Sequence, residues 1–409
     1  MKILSVEEFK TVLGALPDEP RIVASGNFAT PTVLLEATEQ AVERFCIFQL
    51  NPQVGLPDRD GITLETPFVG AGMRRSPRLR YLPARLSLVP LLFRSTCRLN
   101  VLMLHTSTPH QGTVSMGTEV NVLPAAVEAV RASGGMVIAQ ANRKMPYTFG
   151  DGVLPVDSLD YMVEVDLPLP AIQVPRELDE VSRTIGERVA ALVPDGATLQ
   201  LGIGAVPDAT LQGLAKRRGL RVWSEMFSDR VLVLDRAGAL DPDAMITASF
   251  TFGSQELYDW LDHNPRVRML RTEKTNDPAL IASQPAMTSI NSALQVDLFA
   301  QANASRINNR IYSGFGGQTD FIVGALHSDG GQAFIALASW HPKADCSTIV
   351  PLLDEPVTSF QHSAIVTEQG VAPIWGYDQK EQARNLIDHA AHPSVREELW
   401  EEAGHLGLT

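Results

Sequence analysis

Residues 199–207 read Leu199-Gln200-Leu201-Gly202-Ile203-Gly204-Ala205-Val206-Pro207, and this stretch decides the fold. The apolar run from Ala197 to Leu201 predicts a buried strand, and Pro207 suits the start of a helix. A strand, a glycine turn and a helix N-terminus in this order are typical of sites that hold a phosphate or an oxyanion, because glycines let backbone N–H groups approach a ligand closely. An ordinary strand–helix turn has the same pattern, so the surrounding chain must decide between the two readings.

The next apolar run, from Leu220 to Trp223, predicts a second buried strand, and Glu225 follows its end. In an open α/β sheet, ligands bind beyond the carboxyl ends of the strands. If the two strands are parallel neighbours, Glu225 lies at the same sheet edge as the Gly202–Pro207 turn. A carboxylate placed there can attack a carbonyl carbon. We therefore interpret Glu225 as a candidate nucleophile, although this stretch taken alone is more typical of a solvated loop glutamate.

Strands and helices alternate through the rest of the chain. Predicted strands at Arg21–Ser25 and Phe45–Leu50 flank a helix from Pro31 to about Glu43. The same order of strand, helix and strand recurs at Val101–His105, Leu123–Ala132 and Gly135–Asn142. This alternation predicts open α/β domains whose mostly parallel sheets are covered by helices.

A proline-rich stretch from Asp166 to Pro175 is the best candidate for a domain boundary. It is followed by a predicted helix from Arg176 to about Leu192. The 409 residues are enough for two domains, each with its own core. The sequence thus predicts an N-terminal α/β domain over residues 1–175 and a C-terminal α/β domain over residues 176–409.

A second glycine-rich loop lies between Tyr312 and Phe321. Gly314, Gly316 and Gly317 occupy three of four consecutive positions there. Backbone amides in such a loop can face a ligand, and a plain turn is the alternative.

Composition excludes several classes of partner. Lys and Arg number 34 against 47 Asp and Glu, which gives a net charge of -13. Nucleic acids and anionic membranes bind basic surfaces, so neither is an expected partner. The widely spaced cysteines Cys46, Cys97 and Cys346 predict buried free thiols in a reducing cytoplasm. His105 and His110 have no third metal-ligating neighbour in sequence, so no metal site is expected.

No membrane or export signal is expected either. The most apolar segment, from Leu82 to Phe93, is too short to span a bilayer and contains Arg85. Glu7 and Glu8 precede any long apolar run, which argues against a signal peptide. The sequence therefore predicts a cytoplasmic protein.

Motifs along nearly the whole chain carry a family resemblance. They include Tyr81-Leu82-Pro83, Asn142 with Met145-Pro146, residues 199–207, Ser224-Glu225-Met226-Phe227-Ser228-Asp229, Asn291-Ser292, Ser313-Gly314 to Phe321, Val366-Thr367-Glu368 and His392-Pro393. Together they resemble the acetyl-CoA hydrolase/transferase family, and most closely its 4-hydroxybutyrate CoA-transferase branch.

The resemblance implies two CoA-transferase-type (NagB/RpiA-like) α/β domains with the active site between them, and commonly a homo-oligomer. It implies that Glu225 forms a glutamyl-CoA thioester and that coenzyme A is a substrate, with no metal required. The CoA-contacting positions it implies are Gly202, Ile203, Gly204, Ala205, Val206, Ala300, Gly316 and Gly317. Ala300 stands where glycine is usual, Trp223 where histidine is frequent, and Arg230 where glycine is frequent.

The function that follows is transfer of CoA between an acyl-CoA and a short-chain carboxylate, of the acetate, butyrate or 4-hydroxybutyrate type. An acyl-CoA hydrolase that uses the same Glu225 and a non-catalytic acyl-CoA sensor are the alternatives. The reaction needs oxyanion donors, for which backbone N–H groups at Ile203 or Gly204 and at Gly316 or Gly317 are the candidates. It also needs Glu225 to be ionised, so a strongly raised pKa of this carboxyl would argue against the role.

Overall fold

The computed structural model describes residues 1–172, 178–202 and 204–409. These residues form two compact units. Unit 1 comprises residues 1–172 together with Thr247–Thr275 and Ile311–Gly316, and unit 2 comprises residues 178–246, Asn276–Arg310 and Gly317–Thr409. The boundary expected between residues 175 and 176 lies outside the described residues, and the division into domains 1–175 and 176–409 stays a prediction.

Unit 1 contains an eight-stranded sheet in which every pair of neighbours is parallel. The spatial order of its strands is Lys2–Ile3, Tyr161–Val165, Met136–Asn142, Val101–Thr106, Arg21–Ala24, Phe45–Phe48, Ile62–Thr66 and Leu79–Tyr81. All six residues of the central strand Val101–Thr106 are buried. Its continuous apolar sequence is typical of a parallel strand covered on both faces.

The helices of unit 1 connect and cover these strands. Their bounds are Val6–Leu13, Thr32–Ala41, Val89–Arg94, Leu123–Ala132, Gln255–Leu261 and Thr272–Thr275, with 3-10 turns at Leu86–Leu88 and Val156–Ser158. The first helix begins with a capping box, in which the Ser5 side chain accepts from the Glu8 N–H and the Glu8 side chain accepts from the Ser5 N–H. Phe9 and Leu13 of this helix are buried in the core.

Unit 2 has a sheet of the same kind. Its strands follow the spatial order Arg221–Trp223, Thr198–Gln200, Met287–Asn291, Gln332–Ala336, Ala364–Val366 and Val371–Pro373. The first five are parallel and the last is antiparallel. The expected class, α/β with mostly parallel sheets, is therefore confirmed.

The helices of unit 2 are Glu180–Leu192, Ala205–Leu214, Arg230–Arg236, Pro278–Ala282, Gln318–His327, Gln379–Asn385 and Arg396–His405, with a π-helical turn at Leu386–Ala390 and a 3-10 turn at Pro393–Val395. A smaller three-stranded sheet is formed by Ala302–Asn303, Gln295–Asp297 and Ile349–Val350. The strands of both units that have not yet been named are Thr113–Ser115, Val153–Pro155, Met226–Phe227, Ile246–Ala248, Phe250–Thr251, Val267–Met269, Arg306–Ile307, Arg310–Ile311, Trp340–His341 and Cys346–Ser347.

Two details differ from the expectations. The helix after the glycine turn begins at Ala205, two residues before Pro207, because Gly204 already occupies the N-cap position. The three cysteines are free thiols, as predicted, but only Cys97 is buried as expected, since Cys46 is half-buried and Cys346 is exposed. No helix in the described ranges is long and apolar enough to cross a membrane.

Candidate functional site

Glu225 lies at the carboxyl edge of the unit 2 sheet. The strand Arg221–Trp223 that precedes it pairs in parallel with Thr198–Gln200, the strand that leads into the glycine turn. Ser224 links the segment that carries Glu225 to the start of the glycine turn. Its Oγ accepts from the Leu201 N–H over 2.9 Å and lies 3.2 Å from the Leu201 carbonyl oxygen. The predicted placement of Glu225 and the glycine turn at one sheet edge is therefore confirmed.

The glycine turn owes its shape to Gly204. This residue has φ +117° and ψ 177°, a backbone conformation that is essentially restricted to glycine. It places the Gly204 carbonyl oxygen to accept the Asp208 N–H over 3.0 Å, which starts the helix Ala205–Leu214. Ile203, an expected donor, lies outside the described residues.

Gly317 lies against Glu225. It is the N-cap of the helix Gln318–His327 and has an ordinary φ of -100°. A Cβ atom at this position would collide with Oε2 of Glu225 and Nδ2 of Asn276. Glycine is needed here because the nucleophile candidate occupies the space of a side chain.

Asn276 is the residue of this site that the sequence argument missed. Its side chain is fully buried, and Nδ2 donates to Oε2 of Glu225 over 3.0 Å. The Gly317 backbone N–H donates to the same carboxylate. The available signal was the helix start Asn276-Asp277-Pro278, in which Asp277 caps the helix Pro278–Ala282 through the Ala279 N–H at 2.7 Å. That signal locates a turn but does not indicate what Asn276 faces.

The surroundings of Glu225 favour its neutral form, which argues against the expected, fully ionised nucleophile at neutral pH. The pKa of Glu225 is raised to about 7, chiefly by burial and in part by the negative charge of Asp320, against the lowering effect of the hydrogen bonds from Asn276 and Gly317. The side chain keeps some surface exposure, yet protein atoms enclose its carboxyl end. The requirement for an ionised carboxylate is thus met by about half of the molecules near pH 7 and by most of them above it.

Arg230 and Trp223, which differ from the residues frequent at these positions in the family, both make contacts in the structure. Arg230 begins the helix Arg230–Arg236, and its Nε lies 3.7 Å from Oδ2 of Asp208, a residue of the helix after the glycine turn. Both side chains are largely buried, and burial raises the pKa of Asp208. Trp223 packs partly buried against the main hydrophobic cluster of unit 2. The arginine thus ties the helix after the nucleophile to the helix after the glycine turn.

The other expected contact positions lie in different surroundings. Ala300 has φ +58°, which explains why glycine suits the position, and it lines a cavity of about 370 Å³ with Phe360 and Trp375. Phe360 precedes the strand Ala364–Val366, so this cavity lies towards the amino ends of the sheet strands, whereas Glu225 follows a carboxyl end. Gly316 belongs to unit 1, where its carbonyl oxygen accepts the Leu86 N–H over 2.9 Å. Contacts of Ala300 and Gly316 with CoA stay predictions.

Comparison with known proteins identifies the family. The chain is 39% identical over 350 residues to the 4-hydroxybutyrate coenzyme A transferase of Clostridium kluyveri, an alignment that covers 82% of this chain and 80% of that protein. The chain belongs to the acetyl-CoA hydrolase/transferase family. The family model for the acetyl-CoA hydrolase/transferase C-terminal domain matches residues 253–403.

Two further members of this family extend the likeness over almost the full chain. A succinyl-CoA:acetate/propanoyl-CoA:succinate CoA transferase of Fasciola hepatica is 35% identical over 94% of this chain and 85% of its own length. The crystal structure of a 4-hydroxybutyrate CoA-transferase from Porphyromonas gingivalis superposes with a TM-score of 0.82 at 29% identity, covering 99% of this chain and 98% of that one. The CoA-transferase fold implied by the sequence is therefore confirmed.

Among the described residues, no group of three histidine, cysteine, aspartate or glutamate side chains could hold a metal ion.

Proposed function

We propose that this protein transfers coenzyme A between an acyl-CoA and a short-chain carboxylate through a thioester on Glu225. The observation that carries the proposal is a carboxylate at a sheet edge, held by two N–H donors and placed beside a glycine turn. The names of the relatives support the reaction class, since those proteins are CoA-transferases for 4-hydroxybutyrate and for succinate, acetate and propanoate. We expect an acceptor of the same small-carboxylate kind, such as acetate, butyrate or 4-hydroxybutyrate.

The proposed first half-reaction has two steps. An oxygen of ionised Glu225 attacks the thioester carbonyl carbon of the acyl-CoA, the carbon–sulfur bond breaks, and CoA leaves as a thiolate. The thiolate then attacks the glutamyl carbonyl carbon of the mixed anhydride, and the acyl group leaves as a free carboxylate. Every nucleophile is an anion, so no step requires a general base. An incoming carboxylate takes the CoA by the same two steps in reverse.

The two N–H groups that donate to Glu225 would also stabilise charge during the proposed reaction. Nδ2 of Asn276 and the N–H of Gly317 both donate to the resting carboxylate. When Glu225 becomes an anhydride or a thioester, one of its oxygens remains as a carbonyl oxygen that gains charge as the next nucleophile adds. The same two donors can stabilise that oxyanion without rearrangement, and loss of one such donor typically raises a barrier by ~3 kcal/mol. Asn276 is thus proposed as an oxyanion donor in addition to the backbone groups.

Gln318, which follows Gly317 in the chain, supplies a further buried polar group. Its Nε2 is buried and has no hydrogen-bond partner in the described part of the chain. A buried donor left unpaired destabilises a protein by about 1–3 kcal/mol, which a bound acceptor can offset. Because Gln318 follows Gly317 directly, a substrate carboxylate or carbonyl oxygen is the acceptor that fits this proposal.

The test is chemical trapping of the thioester. Protein is mixed with acetyl-CoA without acceptor, treated with borohydride and mapped by peptide mass spectrometry. Reduction of the glutamyl-CoA thioester is expected to convert the Glu225 side chain to an alcohol. The matched control is Glu225→Gln, which keeps the shape and can still accept from Asn276, and which should show no reduction and lose activity by at least about a thousandfold.

The same experiment separates the alternatives. If added butyrate is converted to butyryl-CoA and no free CoA accumulates, the protein is a transferase, and if free CoA is released continuously without acceptor, it is a hydrolase. Acyl-CoA binding with no reduction at Glu225 in the unmodified protein would identify a sensor and refute the covalent mechanism.

A further inference from the structure

A cavity of about 320 Å³ lies in unit 1 at the amino-terminal ends of the sheet strands. Arg21, which starts the strand Arg21–Ala24, and Asn100, which directly precedes the strand Val101–Thr106, both line it. In open α/β sheets, substrates bind at the opposite, carboxyl edge. The cavity is therefore separate from the substrate edge of its own sheet.

Positive charge dominates this cavity. Arg21, Arg80 and Arg98 line it, and the carboxylate of Glu65, which is 1% exposed, pairs with the first two. Glu19, an acidic residue that lines the cavity, forms an ion pair with Arg44. Three arginines against one buried carboxylate leave a local charge of about +2 in a chain whose net charge is -13.

The pairing of the three arginines is unequal. Arg21 is bound in a fork, with Nε 2.8 Å and Nη2 3.3 Å from the two oxygens of Glu65. Arg80 places only Nη1 near Glu65, at 3.2 Å, and its side chain is 62% exposed. In the described ranges, the guanidinium of Arg98 takes part in no hydrogen bond or ion pair.

A purely structural role accounts for part of this arrangement. A buried carboxylate needs a partner, and Arg21 together with Arg80 satisfies Glu65. Arg98 adds a third positive charge that Glu65 does not require. Thr63 and Asn100 line the same space with side chains that can donate hydrogen bonds.

We infer that this cavity binds a small oxyanion with two or more negative charges, of the phosphate or polycarboxylate kind. The planar donor forks of Arg80 and Arg98 match the paired oxygens of such an anion. Binding there changes the stability of unit 1, since an anion would bridge the ends of neighbouring strands that carry Arg21, Thr63 and Arg80.

The test is anion-dependent thermal stability of the full chain, with Arg98→Gln as the diagnostic variant. Inorganic phosphate and citrate are each compared with sodium chloride at equal ionic strength. Phosphate or citrate is expected to raise the Tm of the unmodified protein by at least about 2 °C more than that of Arg98→Gln. Titration calorimetry with the same anion should show at least tenfold weaker binding to the variant, and the anion that binds more tightly identifies the preferred chemistry.

Arg75→Gln is the matched control, because Arg75 is an exposed arginine of the same unit that does not line the cavity. It should respond to the anions like the unmodified protein. Arg98→Gln should fold normally, since its guanidinium has no partner to lose. Equal stabilisation of all three proteins would reveal a general excluded-solute effect and overturn the proposal, and so would the absence of any response in the unmodified protein.

Discussion

Gly204 and Gly317 look alike in sequence, since each stands in a glycine-rich turn just before a helix, but the structure requires glycine at the two positions for different reasons. Gly204 has φ +117°, and a Cβ there would meet no atom within 4 Å. Gly317 has φ -100°, which any residue adopts, but a Cβ there would collide with Glu225 and Asn276. Backbone conformation requires glycine at the first position, and the space filled by the nucleophile requires it at the second.

This difference predicts which of the two positions tolerates a side chain. A side chain at Gly204 strains the backbone of the turn but can project into open space. A side chain at Gly317 must displace the carboxylate and its donor. A small side chain at Gly204 should therefore cause a moderate loss of activity. The same side chain at Gly317 should cause a severe loss.

The largest effect is expected for Gly317→Ala. The new methyl group would force Glu225 and Asn276 apart, so kcat should fall by at least about a thousandfold, in line with the loss of both positioning and an oxyanion donor. Steady-state kinetics with acetyl-CoA and butyrate would measure it. Gly404→Ala is the control, because a Cβ at Gly404, near the end of the helix Arg396–His405, meets nothing within 4 Å, and its activity should be unchanged.

A smaller but more specific effect is expected for Asn276→Ala. Because the hydrogen bond from Asn276 lowers the pKa of Glu225, its removal should move that pKa above its present value of about 7. The rate, which depends on the ionised form, should then rise only at a higher pH than in the unmodified protein. At pH 7 we expect a loss of about 10–100-fold that is partly recovered by pH 9.

The isosteric Asn276→Asp separates this effect from packing. Its carboxylate adds a negative charge beside Glu225 and should shift the pH–rate profile upward at least as far as alanine does. A loss of rate that is uniform at every pH in both variants would show that Asn276 does not control the pKa of Glu225, and would contradict this prediction.

The smallest effect is expected for Gly204→Ala. A non-glycine residue in this backbone region is strained by about 1–3 kcal/mol, so urea unfolding should show a stability loss of that size. Catalysis should fall by only about tenfold, because the added methyl group finds open space. A loss as large as that of Gly317→Ala would show that the turn itself contacts the reacting atoms and would end the distinction between the two glycines.

The parts of the fold that depend on local pattern could be predicted from the sequence. The helix Leu123–Ala132 has the expected bounds, and the strand Val101–Thr106 ends one residue beyond the expected His105. The common sheet edge of Glu225 and the glycine turn followed from the rule that parallel neighbours end together.

The parts that depend on distant contacts could not be predicted. Asn276 is 51 residues from Glu225 along the chain, and nothing in its neighbourhood other than a helix start marks it as the donor. The sequence marks Gly317 as a glycine without telling whether φ or space demands it. The raised pKa of Glu225 also depends on burial and on Asp320, which come together only in the folded unit.

The titration of Glu225 has a consequence for how the proposed enzyme would work in an acidifying medium. With a pKa of about 7, a fall from pH 7 to pH 6 reduces the ionised share from about one half to about one tenth. The proposed attack by the ionised carboxylate should slow in the same proportion, so activity is expected to be higher in neutral to alkaline solution than in acid.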